Sequence, residues 1–473
     1  MSDTNAVHHE HHELPHVGGD ALAPGTPLMR IQKPALLAGI VGLALCLLGF
    51  FINGEQFFRA YLYSYMFYVG VPLGCLALLM LQHLTGGNWG LITRRILEAG
   101  TRMLPLMAVM FIPIILGIGW IYVWDNPELS HAPAAHSAEV HTNIAPTVAD
   151  HHDPAANEAS PQTHAVGDTE ATSSDHKAGH SEFKEWWLQR NFFIIRTVCY
   201  FAVWIFFAML LNKWSGDEDR VDDARIGRRM QLLSGPGILL YGITVTLAVF
   251  DWVMSIDPHW YSTLYGMLFI VGQALSALCV CVLLITLLAG FYPYTELVTR
   301  SLLNDLGNLM LAFVMLWAYL TFSQFLIIWS GNIAEETPYY VYRSTSGWKY
   351  VAGFLILCHW FFPFVILLSR FSKRNARILG IVAAIVLVMR FVDLLWVILP
   401  SFAQVQGHHM EDKGGGSTGM ALTNFWMYIA APIGIGGIWL FFFIMQLKRR
   451  PLMPPNDPRL DSLHAVAAHG GGH

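Results

Sequence analysis

Apolar residues occur in ten long runs along the chain, separated by short polar segments and by one long polar segment. Each run contains about twenty residues, the length that an α-helix needs to cross a bilayer. The sequence therefore predicts an all-α polytopic membrane protein with about ten transmembrane helices, named spans 1 to 10. The predicted spans cover roughly residues 35–52, 61–81, 103–123, 191–211, 236–254, 263–289, 306–330, 348–369, 378–399 and 425–446.

Lys and Arg are distributed unequally between the two sides of the predicted membrane. Of the 28 basic residues, 19 fall on the side of the N-terminus, 7 fall on the other side, and Arg196 and Arg390 fall within spans. Because positively charged loops are retained in the cytoplasm, both termini are predicted to be cytoplasmic. The first 34 residues lack the basic-then-apolar order of a cleavable signal peptide, so span 1 is expected to act as its own insertion signal.

The composition excludes several classes of protein. Charged residues make up 13% of the chain, whereas a soluble domain averages about 25%, so most of the surface is expected to face lipid. The net charge of −5 gives no electrostatic basis for binding nucleic acid. The six Cys lie in apolar runs without a CxxC or CxxCH motif. The sequence therefore contains no ligand set for a metal site of the zinc-ribbon or iron–sulfur type, nor for c-type haem.

Three polar segments are predicted to be disordered because they contain few apolar residues to bury. They are residues 1–28 of a His-rich cytoplasmic N-terminal segment (1–34), residues 126–182 of a low-complexity periplasmic insertion (about 125–185), and the residues from 451 onward of a cytoplasmic tail (447–473). We interpret them as solvated low-complexity segments, and capture of metal ions by their His residues is the alternative.

Two groups of four spans carry similar features in the same order. Trp124 closes span 3 and Trp329 closes span 7, while Asp251 in span 5 and Asp393 in span 9 each precede a Pro by seven residues. This order predicts an internal repeat of two parallel four-helix bundles, spans 2–5 and spans 6–9, with one flanking helix at each end. The predicted boundaries are 35–60 for the first transmembrane helix, 61–254 and 263–399 for the two bundles, and 425–446 for the tenth helix.

Ionisable residues inside the predicted spans are rare, and they are functional candidates because a charge within the bilayer is costly. Asp251 and Asp393 lie toward the outer side, and His359 lies near the middle of span 8. Arg390 is three residues from Asp393 and shares its helix face. These four residues predict a proton relay toward the outer side, in which Arg390 controls the protonation of Asp393. The alternative is a structural ion pair, with a His that only hydrogen-bonds to a neighbouring helix.

Four more ionisable residues lie at the cytoplasmic ends of spans, namely His83, Glu98, Glu296 and Asp305. They are candidates for the mouth of a proton half-channel, and the alternative is that they are solvated helix ends. A bis-His b-haem is not predicted, because it needs two His at one depth and only His359 lies deep in a span.

Two stretches resemble a known family. They are DWVMSIDPHWYSTLYG (Asp251–Gly266) and SQFLIIWSGNIAEETPYYVYR (Ser323–Arg343). They are similar to the second NrfD-like, or polysulfide-reductase-like, membrane subunit of alternative complex III, a bacterial quinol:electron-acceptor oxidoreductase unrelated to cytochrome bc1. The resemblance covers essentially the whole chain, including the ten spans and the two bundles. It implies a place in respiratory or photosynthetic electron transport in the bacterial inner membrane.

The resemblance also implies partners and cofactors. The expected partners are an iron–sulfur subunit, multihaem and monohaem cytochrome c subunits, a sister NrfD-like subunit that binds quinol, and small membrane subunits. Haem c and iron–sulfur clusters would lie in those partners, so this chain is expected to hold no redox centre. Quinol-binding relatives typically carry Pro-Gly-Trp-His where this chain has Pro258, His259, Trp260 and Tyr261, and this departure leaves quinone binding open.

Three functions remain open at this point. The first is coupling of quinol oxidation in the sister subunit to proton transfer toward the periplasm. The second is a second quinone pocket, in which Asp257 or His259 takes the hydroxyl proton and Trp260 and Tyr261 stack on the ring. The third is a structural membrane anchor that uses outer loops such as Asn332–Arg343. A free-standing secondary transporter is a fourth hypothesis, which the repeat architecture alone would allow and the family motifs disfavour.

Overall fold

The computed structural model of the chain describes residues 25–126, 184, 186–221, 223–345, 347–411, 425–457 and 459–460. These residues are mainly helical and contain no β-strand, which confirms the all-α prediction. Ten helical segments among them are long and apolar enough to cross a bilayer. Spans 1 to 10 are Pro27–Ile52, Gly54–Thr85, Asn88–Leu116, Arg190–Glu218, Arg225–Ile256, Tyr265–Leu288, Arg300–Gly331, Trp348–Leu368, Ala376–Phe402 and Met427–Leu447. Residues 1–24 and 127–183 of the predicted disordered segments lie outside the described residues. Residues 451–457 and 459–460 of the tail are described and pack against the rest of the molecule, so the prediction of disorder is wrong for this part.

Several spans are assembled from shorter helical pieces. Span 3 consists of Asn88–Thr101, Leu104–Met110 and Ile112–Leu116, followed by Ile118–Ile121 and the 3₁₀ turn Val123–Asp125. The helix of span 5 is Ala224–Trp252, followed by the 3₁₀ turn Met254–Ile256. Span 8 contains Trp348–Leu355, a π-helical turn at Ile356–Phe361 and Phe362–Leu368, and the helix of span 9 is Ala376–Glu411. The connecting helices are Tyr294–Leu297, Pro338–Thr345 and Arg370–Arg374.

The first three spans begin earlier along the chain than hydropathy predicts. Span 1 begins at Pro27, and Asn53 separates it from span 2. The Asn53 side chain caps span 2 by accepting a hydrogen bond from the backbone N–H of Gln56 at 3.1 Å. Residues 54–60, predicted to belong with the first transmembrane helix, are therefore the start of span 2. Span 3 begins at Asn88 instead of residue 103, because the charged residues in its first turns are paired.

A buried charge network surrounds the start of span 3. It lies at the end of the molecule where span 1 begins and span 10 ends, which we name the terminal end. The end where span 1 ends and span 10 begins is named the opposite end. Glu98 is fully buried and accepts hydrogen bonds from Arg94 (3.1 Å), Arg95 (2.8 Å), Ser215 (2.5 Å) and Arg450 (3.3 Å). The interpretation of Glu98 as a solvated helix end is therefore wrong.

The segment that follows span 10 completes this network. Asp457 accepts a hydrogen bond from Arg94 at 3.1 Å and from Arg459 at 2.7 Å. Asn456 donates to two backbone carbonyls at the end of span 4, each at 3.1 Å. The C-terminal segment is thereby fixed against the first bundle by charges that would be costly to bury singly.

Spans 2 and 6 form the centre of the molecule and are the most buried of the ten. Gly74 permits their close approach, because an added Cβ there would lie 1.9 Å from the carbonyl oxygen of Gln273. Span 2 contacts spans 3 and 5, and span 6 contacts spans 7 and 9. Span 2 also contacts span 6 extensively, so these contacts do not separate two bundles, and the division into two bundles stays a prediction. The parallel relation of the bundles stays a prediction.

Spans 1 and 10 pack against each other through small residues. An added Cβ on Gly42 would lie 2.5 Å from the backbone N of Gly434, and one on Gly39 would lie 2.7 Å from the backbone N of Ile438. Such contacts let two backbones approach closely, as is common between membrane helices. The start of span 1 lies beside the end of span 10, so the two helices are antiparallel.

Candidate functional site

Asp251 forms a fully hydrogen-bonded ion pair between spans 4 and 5. Arg196 donates to its Oδ2 from Nε at 2.8 Å and to its Oδ1 from Nη2 at 2.9 Å. The hydroxyl of Tyr200 donates to Oδ2 at 2.8 Å, and Trp187 Nε1 donates to Oδ1 at 2.9 Å. Asp251 is fully buried. With two donors on each oxygen, the ionised carboxylate has a full set of partners in place of its hydration.

The guanidinium of Arg196 is fixed just as firmly. Its Nη1 donates to the backbone carbonyl of Trp187 at 2.9 Å. The same group lies over the rings of Trp187 and Phe192, at 4.1 and 4.4 Å from their centroids, where cation–π attraction adds to the pairing. This ion pair therefore joins spans 4 and 5 and the segment before span 4 into one rigid unit.

Asp393 and Arg390 form the second buried pair, and this pair has fewer partners. Arg390 Nη1 donates to Asp393 Oδ2, and Trp317 Nε1 of span 7 donates to the same oxygen at 3.2 Å. Within the described residues Arg390 Nε has no hydrogen-bond partner. The prediction that Arg390 and Asp393 pair on one helix face is confirmed.

His359 lies on the other side of Trp317. The two rings stack with their centroids 4.0 Å apart and an interplanar angle of 30°. His359 is fully buried, and neither ring nitrogen has a hydrogen-bond partner within the part of the chain that the structure describes. The alternative expectation, that His359 only hydrogen-bonds to a neighbouring helix, is therefore wrong. Its position in a π-helical turn is typical of functional sites.

The structure therefore brings three of the four predicted relay residues together. Trp317 contacts both Asp393 and His359, and Arg390 completes the group. Asp251 has its own set of partners on spans 4 and 5. The four residues thus form two sites, one on spans 4 and 5 and one on spans 8 and 9.

A small cavity of about 20 Å³ lies beside the Arg390–Asp393 pair. A space of this size holds about one water molecule. Its walls come from spans 6, 7 and 9 and from the connecting helix Pro338–Thr345. Besides the ion pair, its polar lining consists of Thr321 and Gln324, and its aromatic lining consists of Tyr265, Trp317, Tyr339, Tyr340 and Trp396.

The phenols of Tyr339 and Tyr340 belong to the connecting helix outside the spans. Burial raises the pKa of both phenols. Both hydroxyls therefore stay protonated at neutral pH, and these two side chains add no charge to the cavity.

Arg343 attaches the connecting helix to span 9. Pro400 lacks an N–H, so the carbonyl of Trp396 one turn earlier has no helical donor. Arg343 Nε lies 3.4 Å from that carbonyl, and its Nη2 donates to the carbonyl of Val397 at 2.9 Å and to the hydroxyl of Ser401 at 3.1 Å. Arg343 thereby supplies a donor in place of the one that the proline removes and holds the connecting helix over the cavity.

The residues of the predicted quinone pocket do not converge on one space. Trp260 is buried and stacks on Tyr339 with centroids 4.1 Å apart, whereas Tyr261 is 53% exposed. Asp257 Oδ1 accepts a hydrogen bond from the backbone N–H of His259 at 3.1 Å. One face of Trp260 is therefore already covered, and the nearby cavity is far smaller than a quinone ring. The residues as placed do not fit a bound quinone, and quinone binding stays a prediction.

Sequence reasoning missed the residues that connect the site. Trp317, Gln324 and Tyr339 were not candidates, although two of them belong to the stretch Ser323–Arg343 that carries the family resemblance. The signal available in the sequence was the high density of Tyr in that stretch, together with a Gln inside a predicted span. No group of three or more His, Cys, Asp or Glu within the described residues is arranged to hold a metal ion.

Comparison with known proteins adds no relative. No protein-family model matches the chain, and no curated protein sequence matches it. The described residues are thus those of a multi-pass α-helical membrane protein in which two arginine–aspartate pairs, Arg196–Asp251 and Arg390–Asp393, are buried within the spans.

Proposed function

We propose that the chain is a membrane subunit of a quinol:electron-acceptor oxidoreductase of the alternative complex III type, in the bacterial inner membrane. Two observations support this proposal: the resemblance carried by Asp251–Gly266 and Ser323–Arg343, and the excess of Lys and Arg at the terminal end, which favours cytoplasmic termini. In the proposed complex, haem c and iron–sulfur clusters belong to partner subunits, and a sister subunit oxidises the quinol.

The proposed task of this chain is to couple that oxidation to proton transfer at the opposite end. The observation that carries the proposal is the incompletely hydrogen-bonded Arg390–Asp393 pair, beside a cavity for one water and one ring away from His359. Arg390 favours the ionised form of Asp393. A proton delivered through the cavity neutralises Asp393 and releases Arg390, and the neighbouring His359 is an imidazole that can accept or donate a proton.

Asp251 has a different role in this proposal. Two donors on each of its oxygens leave no position for an incoming proton donor without breaking a hydrogen bond. We therefore assign Asp251 to structure and restrict the relay to Asp393, Arg390 and His359, which is narrower than the relay predicted from sequence.

Replacement of Asp393 by Asn tests the proposal. In the intact complex reconstituted into liposomes, Asp393→Asn is expected to release fewer protons per electron while quinol oxidation continues. Asp251→Asn is the matched control, with the same chemical change in a buried pair, and should keep the wild-type proton yield per folded complex. An unchanged yield in Asp393→Asn would refute the coupling role. Affinity purification of the chain without iron–sulfur and multihaem subunits would refute membership of the complex.

A second quinone site and a structural anchor, the two other functions, predict different results. A second quinone site requires a bound quinone in the purified chain and a helix Pro338–Thr345 that has moved away from Trp260. A structural anchor requires that Asp393→Asn and Asp251→Asn leave both turnover and proton yield unchanged per folded complex. The geometry gives neither function a specific observation of the kind that Asp393 gives to coupling.

A further inference from the structure

The turn between spans 8 and 9 carries an uncompensated positive charge. Residues 369–377 contain four basic residues and no acidic residue. Lys373 is buried and donates to Asn308 at 2.6 Å, whereas Arg370, Arg374 and Arg377 are exposed. None of the ion pairs found among the described residues involves these three arginines. Three free guanidinium groups therefore face outward at the terminal end.

An exposed apolar stripe runs along span 9 away from this turn. Arg377, Ile381, Ile385 and Val388 follow the spacing of one helix face, and all four are exposed. At about 1.5 Å per residue the stripe is about 16 Å long. That length matches one leaflet of a hydrocarbon core about 30 Å thick. The stripe thus has the length of an acyl chain with a cation at its polar end.

Span 8 presents a second stripe of the same kind. Leu368, Val365, Phe361 and Leu357 are exposed at helical spacing, and Phe371 in the turn is 74% exposed. Spans 8 and 9 contact each other. Two apolar stripes on adjacent helices, both ending at the same cationic turn, correspond to two acyl chains joined to one anionic headgroup.

We infer that the turn between spans 8 and 9 binds an anionic diacyl phospholipid, with its phosphate on Arg370, Arg374 and Arg377 and its acyl chains along spans 8 and 9. Arginine binds phosphate oxygens in a bidentate manner, and the start of span 9 at Ala376 adds the positive end of a helix dipole. The inference does not depend on the proposed function, because it rests only on charge, exposure and length.

The turn between spans 4 and 5 provides an internal comparison. Arg225, Arg228 and Arg229 are exposed there too. Glu218 and Asp219 of that turn pair with Arg94 and Arg95. Three further acidic residues remain to offset the charge of the exposed arginines, which are Asp217, Asp222 and Asp223. Equal numbers of exposed arginines therefore produce a strong field in one turn and a compensated field in the other.

Native mass spectrometry of the purified full-length chain tests the inference. The probes are dioleoylphosphatidylglycerol and dioleoylphosphatidylcholine added to detergent-solubilised protein. The triple variant R370Q/R374Q/R377Q is expected to bind phosphatidylglycerol about a hundredfold more weakly, at about 1 kcal/mol per basic residue near an anionic surface. The matched control R225Q/R228Q/R229Q should bind as the wild type does. Phosphatidylcholine binding should be weak and equal in all three proteins.

Several outcomes would overturn the inference. They are an unchanged phosphatidylglycerol affinity in the triple variant, an equal loss in the control variant, or a wild type without preference for the anionic lipid. Displacement of the lipid by millimolar glycerol 3-phosphate would indicate a site for a free phosphate instead. If the triple variant does not fold, the single variant R377Q serves, with an expected loss of about fivefold.

Discussion

Replacement of Asp251 by Asn tests whether the ion pair between spans 4 and 5 is a structural lock. The Asn side chain has nearly the same size, but it leaves the charge of Arg196 buried without a counter-charge. Breaking a buried pair by removing one partner costs about 3–5 kcal/mol. We expect Asp251→Asn to lower the free energy of unfolding by this amount, and Arg196→Met to do the same.

The double variant Arg196→Met/Asp251→Leu is expected to behave differently. It removes both charges together, so no uncompensated ion remains in the interior. The hydroxyl of Tyr200 and the indole N–H of Trp187 still lose their acceptor, at about 1–3 kcal/mol each. The double variant should therefore cost about 2–6 kcal/mol, below the roughly 6–10 kcal/mol of the two single variants added together.

Unfolding of the chain in mixed micelles measures these differences. Fluorescence is a suitable signal because the chain has 16 Trp. Additive costs of the single variants would show that Arg196 and Asp251 do not act as a pair. Wild-type stability of Asp251→Asn, or a lower proton yield per folded complex in that variant, would refute the assignment of Asp251 to structure.

Three further predictions concern positions around the second bundle and the C-terminal segment. Gly272→Ala would place a Cβ 2.2 Å from Arg390 Cζ, so the proton yield in the liposome assay should fall without loss of helix content. Gly353→Ala is the control, because there is open space around Gly353, and its proton yield should equal that of the wild type. Arg343→Met should lower the unfolding free energy by about 2–4 kcal/mol in micelles, because buried acceptors lose a charged donor; wild-type stability would contradict this. Although burial raises the pKa of Asp457, its Arg partners lower it overall. Docking of the C-terminal segment, followed by hydrogen exchange, should persist above about pH 4 and weaken as the pH falls further, and docking that is independent of pH would contradict it.

Hydropathy predicted all ten spans because the bilayer imposes length and composition on each helix separately. It misplaced the start of span 3 because the charges there are neutralised by distant partners. Arg94 is 363 residues from Asp457, and Glu98 is 117 residues from Ser215. A sequence window that contains only Arg94 and Glu98 indicates a loop, although the folded chain can bury both.

In the candidate site, too, the contacts between residues close in sequence were predictable and the contacts between distant residues were not. The spacing of three residues predicted the Arg390–Asp393 pair, because helix geometry alone brings such side chains together. Arg196 and Asp251 were both recognised as intramembrane charges, but they lie on different helices, 55 residues apart. The stacking of Trp317 on the His359 ring depends on how spans 7 and 8 are rotated, and single-helix spacing does not specify that rotation.

The glycine contact between spans 1 and 10 has a consequence for synthesis in the cell. About 375 residues separate the end of span 1 from the start of span 10. At about 5–20 residues per second, a ribosome needs roughly 20–75 seconds to produce the partner that covers Gly39 and Gly42. The face of span 1 that carries Gly39 and Gly42 therefore remains without its span 10 partner for most of translation. A nascent chain truncated before span 10 exposes this surface permanently, which gives membrane proteases a means to distinguish incomplete chains from finished ones.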